Sequence, residues 1–404
     1  MKILIFTEGN RNGGMDTFIA NLVNYWPNEN DEFVIICNDG HPGASYINEQ
    51  LNGKYKIIKH KIPLNWSFLS FIIKYLPNII QRIIRQIFRI ILSPIQYYFL
   101  KSILQQEKGD QLISVNGGYP GGETCRLINI AWKSLTNKDS IHNVHSFALK
   151  PRFIFSWYEN YIDKKLIKSC KNIVSVSNYC SNTLSIRRAF KNLDKIMTIY
   201  NGLSIENDLN SNKTKLRNIL NINEDDKLII MLGTYEKRKG HEYLLQAMNY
   251  VYKQLPDVHL AILGTGTKTE ELFIKECIAK YTPAKNIHMP GFLKNANELI
   301  KEADVLAVPD QDFASFGLTI VEAMLNKVPV VSTNIGGLPE TIGENGKCGF
   351  YCDASKPELF SKKIIYIINN KEKSMEITKN AEIRAREFFS AKKMAENYHY
   401  ILSM

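Results

Sequence analysis

Ala303–Val331 reads ADVLAVPDQDFASFGLTIVEAMLNKVPVV, and the order of its parts decides the fold. Asp304–Val308 is a short apolar run rich in β-branched residues and closed by Pro309, the pattern of a buried strand. A polar loop, residues 310–314, follows. Ser315-Phe316-Gly317 then opens a helix expected to run to about Asn326, with Ser315 as the N-cap. Pro329-Val330-Val331 begins the next strand. A strand, loop, helix and strand in that order form the repeating unit of a parallel sheet.

The start of that helix is its chemical feature. First-turn amides have no acceptor within a helix and carry partial positive charge, so they suit an anion such as a diphosphate. Gly317 lets a ligand approach the backbone. Glu322 lies one turn beyond Leu318 on the same side. A carboxylate there repels phosphate but accepts hydrogen bonds from sugar hydroxyls. A capped, solvated helix with a surface glutamate would read the same way from these residues alone.

Ser315-Phe316-Gly317-Leu318-Thr319-Ile320-Val321-Glu322-Ala323-Met324 resembles the signature of the retaining glycosyltransferases of family 4. The resemblance implies the GT-B fold: two Rossmann-like doubly wound α/β domains facing a central cleft, with a C-terminal helix crossing back. The family pattern has two glutamates. Glu322 matches the second, and Ala314 stands where the first is expected. Three explanations fit: an inactivated variant made to trap substrate, a natural variant in which Asp312 reaches in, or a binding protein without turnover.

The 404 residues suffice for two domains, and 45% hydrophobic with 23% charged residues marks a globular chain. Lys and Arg exceed Asp and Glu by 51 − 40 = 11, which favours anionic partners. No nucleic-acid signature accompanies that charge, so nucleic acid is not expected. Seven scattered cysteines without a CxxC pair read as reduced thiols of a cytoplasmic protein, and no metal site is expected. Met1-Lys2 runs directly into an apolar strand, Ile3–Phe6, leaving no room for a signal peptide.

Residues 1–203 are expected to form the first, acceptor-side domain. Gly13-Gly14-Met15-Asp16 follows its first strand and is similar to the family loop that lines the cleft; a plain tight turn is the other reading. The strand 141–144 ends at His145, which resembles the family's cleft histidine beside the donor sugar, with His142 as the second candidate. Asn116–Gly122 is glycine-rich and fits an acceptor site, but not a P-loop.

Residues 66–104 are apolar and aromatic, and all their charges are positive: Lys74, Arg82, Arg85, Arg89 and Lys101. No charge-free run reaches the ~18–20 residues needed to span a bilayer. The three arginines share one helix face, and the pattern predicts a helix lying on an anionic membrane surface. An ordinary helical insert is the alternative.

Residues 204–226 read as a linker, 227–385 as the second domain, and 386–404 as the returning helix. The loop from Gly233 to His241 carries Arg238 and Lys239. In the family such a loop supplies an arginine and a lysine to the diphosphate. Lys239 matches the lysine, Thr234 stands at the arginine position, and Arg238 is the substitute guanidinium. The resemblance further places Phe292 beside the nucleotide base, and Ser315, Phe316, Gly317 and Leu318 at the phosphates. The lone Gly264-Thr265-Gly266 does not make a dinucleotide fingerprint.

The expectation is therefore transfer of a hexose or N-acetylhexosamine from a nucleotide-diphosphate sugar, UDP favoured, to a lipid-linked saccharide acceptor in surface polysaccharide assembly. The enzyme would lie on the inner face of the plasma membrane and need no metal or other cofactor. A non-catalytic nucleotide-sugar-binding protein and a GDP-mannose-dependent transferase are the alternatives.

Overall fold

The strand–helix alternation resolves into two parallel sheets in a computed structural model of the chain. The structure describes residues 1–10, 13–64, 73–205, 216–282, 286–293 and 296–404. The start of the insert at 66–72 and most of the linker, 206–215, lie outside these.

The first unit comprises residues 1–202 and 391–404. Its strands are β1 Lys2–Thr7, β2 Glu32–Asn38, β3 Tyr55–His60, β4 Gln111–Asn116, β5 Ser140–Val144, β6 Cys170–Ser175 and β7 Ile196–Thr198, in the order β3-β2-β1-β4-β5-β6-β7. Its helices are α1 Gly14–Asn24, α2 Ala44–Gln50, α3 Asn78–Glu107, α4 Glu123–Thr136, α5 Ser156–Ser169 and α6 Asn178–Thr183.

The second unit is residues 203–390. It has strands β8 Leu228–Leu232, β9 His259–Leu263, β10 Ile287–Gly291, β11 Val305–Val308, β12 Val330–Thr333 and β13 Phe350–Cys352, in the order β10-β9-β8-β11-β12-β13. Helices α7 Leu216–Leu220, α8 His241–Tyr252, α9 Lys268–Tyr281, α10 Ala296–Leu299, α11 Leu318–Leu325, α12 Leu338–Ile342, α13 Pro357–Asn369 and α14 Lys371–Phe388 belong to it. The last helix, α15 Ala391–Ser403, returns to the first unit.

β1 shows why unbroken apolar runs make buried strands. Successive side chains point to opposite faces. Ile3 and Ile5 pack with Phe18 and Leu22 of α1 and with Met394 and Tyr398 of α15. Leu4 and Phe6 pack with Leu100 and Leu104 of α3 and with Ile128 and Trp132 of α4. Both faces are covered, as parallel sheets require. Asn143 Nδ2 donates to Tyr398 Oη at 2.6 Å, which fixes α15 on this sheet.

α3 corrects the expectation that Arg82, Arg85 and Arg89 all face outward together. Its length and mean hydropathy, 1.2 over one 18-residue window, match a membrane span among the described helices, yet 33% of that window is buried within the unit. Arg82 is exposed, but Arg89 is buried and turned inward. Its Nε lies 3.2 Å from Glu123 and its Nη2 lies 3.3 Å from Glu159. Residues 66–104 lack acids, but α4 and α5 supply them.

Those two contacts belong to a larger buried network. Arg187 reaches Asp163 and Glu159, each at 2.8 Å. Arg126 pairs with Glu123 and, at 3.4 Å, with Asp163. Tyr119 Oη donates to Asp163 at 2.6 Å and Tyr158 Oη to Glu123 at 2.8 Å. Removing one member strands its partners' charge, which costs far more than the pair contributes. Arg187→Met is expected to lower stability by about 3–5 kcal/mol in urea denaturation, whereas Arg188→Met, on an exposed neighbour, moves it by less than ~0.5 kcal/mol.

Candidate functional site

Strand order reverses beside β8: β9 lies on one side and β11 on the other. In an open parallel sheet the crevice at the carboxyl ends of such strands is where ligands bind. The loops that meet there are 233–240 after β8 and 309–317 after β11.

The two loops are docked backbone to backbone. Gly240 has φ +77°, and a Cβ there would lie 1.9 Å from the Pro309 carbonyl oxygen. Only glycine fits. The amide of Gln311 donates to the carbonyl of Arg238 at 2.7 Å. Lys237–Lys239 forms a single 3-10 turn that projects both basic residues over this junction. Lys239 Nζ lies 3.1 Å from Asp310 Oδ2, and its alkyl stem passes over Gly233. Burial pushes the Asp310 carboxyl up, opposed by Lys239 and Arg238. Arg238 Nε lies 2.6 Å from Glu236, with the guanidinium 4.8 Å from the centre of the Phe313 ring. Both cations are thus held in place and partly exposed.

The second loop ends in a different cap from the one expected. Gly317, not Ser315, is the N-cap of α11, and it adopts the left-handed conformation at φ +93°. The left-handed residue turns the chain just before Leu318, so the helix begins there, two residues later than a Ser315 cap would give. A Cβ on Gly317 would meet Leu338 at 2.8 Å. The loop is clamped from α12: Gly337 N donates to the Ala314 carbonyl at 2.8 Å, and Thr341 Oγ1 donates to the Phe316 carbonyl. Ala314 and Phe316 are buried, Ser315 and Leu318 are half-buried, and Asp312 is exposed. Phe316 packs edge-on against Phe389 at 5.2 Å.

Glu322 stands one turn into α11, half-buried. Burial pushes its carboxyl up to about 7. Near neutral pH it exchanges between acceptor-only carboxylate and neutral acid.

Gly13, Gly14, Asp16 and His145 lie in the first unit. Gly13 is the N-cap of α1 and Gly14 its first residue. Asp16 turns back into the protein: its Oδ2 accepts from Gly13 N at 2.9 Å, and its Oδ1 lies 3.5 Å from His41 Nε2. A Cβ on Gly43 would strike the same carboxyl. Asp16 therefore braces the loop rather than facing outward. His145 follows β5, packs edge-on against Phe18 at 4.5 Å, and is held to about 3 by burial, so it is neutral. Its Nε2 is buried with no hydrogen-bond partner among the described residues. His142, the second candidate, is a core histidine whose Nδ1 meets Ser114 Oγ at 2.6 Å.

The loops after β1 and β4 form the corresponding switch point of this unit. They line a cavity of about 410 Å³ with Gly9, Gly117, Gly118, Arg85 and Arg152 on its walls.

In the second unit the structure brings Arg238 and Lys239 against the loop that carries Ala314, Ser315 and Phe316. Phe292 directly follows β10, an outer strand, and is 73% exposed. The residues that sequence reading missed are Asp310 and Glu236, which orient the two cations. Their signal was an acid within one or two residues of each loop's key position, and such acids are common in loops.

The family model described as "Glycosyl transferases group 1" matches residues 212–384, which is most of the second unit. Among curated proteins, the chain is 25% identical to the N-acetyl-alpha-D-glucosaminyl L-malate synthase of Bacillus anthracis over 206 residues, 51% of this chain and 53% of that protein. It is 24% identical to the poly(ribitol-phosphate) alpha-N-acetylglucosaminyltransferase of Staphylococcus aureus over 306 residues, 74% of this chain and 57% of that one. The chain thus spans about half the length of the curated relatives it matches. Among solved structures, a glycosyltransferase from Rickettsia africae superposes with a TM-score of 0.78 at 20% identity, covering 99% of this chain and 98% of that one. The Anabaena protein HepE, in complex with UDP, gives 0.75 at 17% identity with full coverage of both chains. These likenesses establish the GT-B fold of two Rossmann-like domains.

Two outcomes follow from the geometry. Gly240→Ala combines a left-handed backbone with a clash against Pro309, and is expected to cost more than ~1 kcal/mol in thermal denaturation. Glu322 keeps its proton to higher pH folded than unfolded, so the folded chain binds more protons between pH 4.5 and about 7 and loses stability as pH rises through that window. Glu322→Gln is expected to raise the melting temperature above pH 7 and leave it unchanged below 4.5.

Proposed function

We propose that the chain is a retaining, family 4 glycosyltransferase. It moves a hexose or N-acetylhexosamine from a UDP-sugar to a lipid-linked saccharide in the assembly of a surface polysaccharide such as capsule or O-antigen. The observation that carries this is the junction of loops 236–240 and 309–317, where two oriented cations stand beside a helix start at a sheet's switch point. The match of residues 212–384 to group 1 glycosyl transferases supports it.

In the reaction, the bond between the sugar's anomeric carbon and the diphosphate breaks and its electron pair goes to the departing phosphate oxygen, while the acceptor's hydroxyl oxygen bonds that carbon and passes its proton to the phosphate. Negative charge grows there, and preorganised donors in a dry site stabilise it. Arg238, Lys239 and the first amides of α11 are assigned that task. They supply counter-charge that a metal would otherwise bring, so no metal is required. Glu322 is assigned the ribose hydroxyls, which its raised carboxyl can serve as donor or acceptor. The resemblance gives His145 a hydrogen bond to a sugar hydroxyl. Burial favours the neutral imidazole, which can donate to or accept from such a hydroxyl. The acceptor reading rests on the glycine-walled cavity of the first unit and on the basic, apolar surface of α3, which suits an anionic membrane.

Ala314 favours a second reading, binding without turnover. A methyl group cannot hydrogen-bond a sugar, and Asp312, the other candidate carboxylate, is exposed while Ala314 is buried.

The test is calorimetric titration with UDP. Arg238→Gln/Lys239→Gln is expected to weaken UDP binding on the order of a hundredfold by losing two charge-assisted contacts, while Lys237→Gln in the same turn has little effect. Unchanged affinity in the double variant would sink the diphosphate assignment. Ala314→Glu is expected to raise sugar transfer; an unchanged rate across donors and acceptors decides for the binding protein.

A further inference from the structure

Phe153–Tyr161 presents an apolar surface that is absent from the signature motifs. Phe153 is 94% exposed, Ile154 66%, Trp157 65% and Tyr161 54%. Phe153 and Ile154 sit on a 3-10 turn that leads into α5, and Trp157 and Tyr161 follow one turn apart on the outer face of that helix. The inner face of the same helix buries Tyr158, Ile162 and Leu166. α5 is therefore apolar on two sides, and only one of them is covered by the described residues.

The charges around this surface are sorted by sign. The exposed charged residues from 147 to 168 are Lys150, Arg152, Lys164, Lys165 and Lys168. The acids of that stretch, Glu159 and Asp163, are buried and held by Arg187 at 2.8 Å. The fold thus hides the negative charge and leaves the positive charge outside.

The surface also continues onto α3. Arg152 and Arg89 both reach Glu159 Oε1, at 3.0 and 3.3 Å, so the aromatic turn lies beside the middle of α3. There Ile83, Ile87, Ile91 and Ile95 form an exposed row at helical spacing. Arg152, next to Phe153, lines both the 410 Å³ cavity and a second one of about 840 Å³.

We propose that Phe153, Ile154, Trp157 and Tyr161 insert among the headgroups of an anionic bilayer, with the isoleucine row of α3 alongside, so that the rim at Arg152 opens at the membrane surface. Amphipathic rings prefer the water–lipid boundary, and lysines around them meet anionic headgroups. A second copy of the chain fits less well: two-fold pairing through this face would bring together two patches whose exposed charges between 147 and 168 are all positive. The inference deepens the lipid-linked acceptor reading, but its evidence is separate from the nucleotide site.

The experiment is co-sedimentation of the full chain with vesicles of phosphatidylglycerol and phosphatidylcholine, compared with phosphatidylcholine alone. Wild type is expected to partition at least about tenfold more strongly onto the anionic vesicles. Phe153→Ser/Trp157→Ser is expected to weaken that partition about tenfold or more, with unchanged circular dichroism, melting temperature and UDP affinity. Equal binding by the double variant, or by wild type to neutral vesicles, overturns the proposal. So does a lipid-free dimer that becomes a monomer in the double variant, which would assign the face to a second copy. If UDP fails to bind wild type while the vesicle results hold, the donor reading falls and this one stands.

Discussion

The approach of Gly240 to the carbonyl of Pro309 is the constraint on which the second unit's site depends. Parallel strands deliver their carboxyl ends to one edge of the sheet, but that alone leaves two loops free to splay. Backbone contact without a side chain between them removes that freedom. It sets the Lys239–Asp310 and Arg238–Phe313 distances, and both cations then have one geometry rather than many. Ordering long basic side chains costs entropy. Here protein acids have already met that cost before any anion arrives.

The same device recurs at the start of α11. Gly317 in the left-handed region, with Gly336 and Gly337 pressed against the Ala314 backbone, stops the chain short of a helix until Leu318. The first-turn amides are thereby presented at the end of a clamped loop. Glu322, one turn in, has its carboxyl raised by the low-dielectric surroundings that would also strengthen any bond it makes to a hydroxyl.

The first unit is organised by a different force. Its helices α3, α4 and α5 share a buried set of guanidiniums and carboxylates. Each charge there is tolerable only because several partners surround it. The consequence reaches the surface: with Glu159 and Asp163 committed inside, the outer face of α5 keeps aromatic rings and lysines.

Local pattern determined the two-unit α/β architecture, the strands of unbroken apolar residues such as Ile3–Phe6 and Leu228–Leu232, and the loops worth examining, because period and turn chemistry are properties of neighbouring residues. β3 and β7 escaped that reading. Tyr55–His60 mixes lysines with isoleucines and Ile196–Thr198 has three residues, so neither has a distinctive pattern. The tertiary structure alone decided that Ser315 yields its capping role to Gly317, that Asp16 faces inward, that Arg89 pairs with acids 34 and 70 residues away in sequence, and that Asp310 and Glu236 hold the two cations. Each of these depends on which distant group arrives at a few ångströms, and a one-dimensional pattern carries no information about that distance.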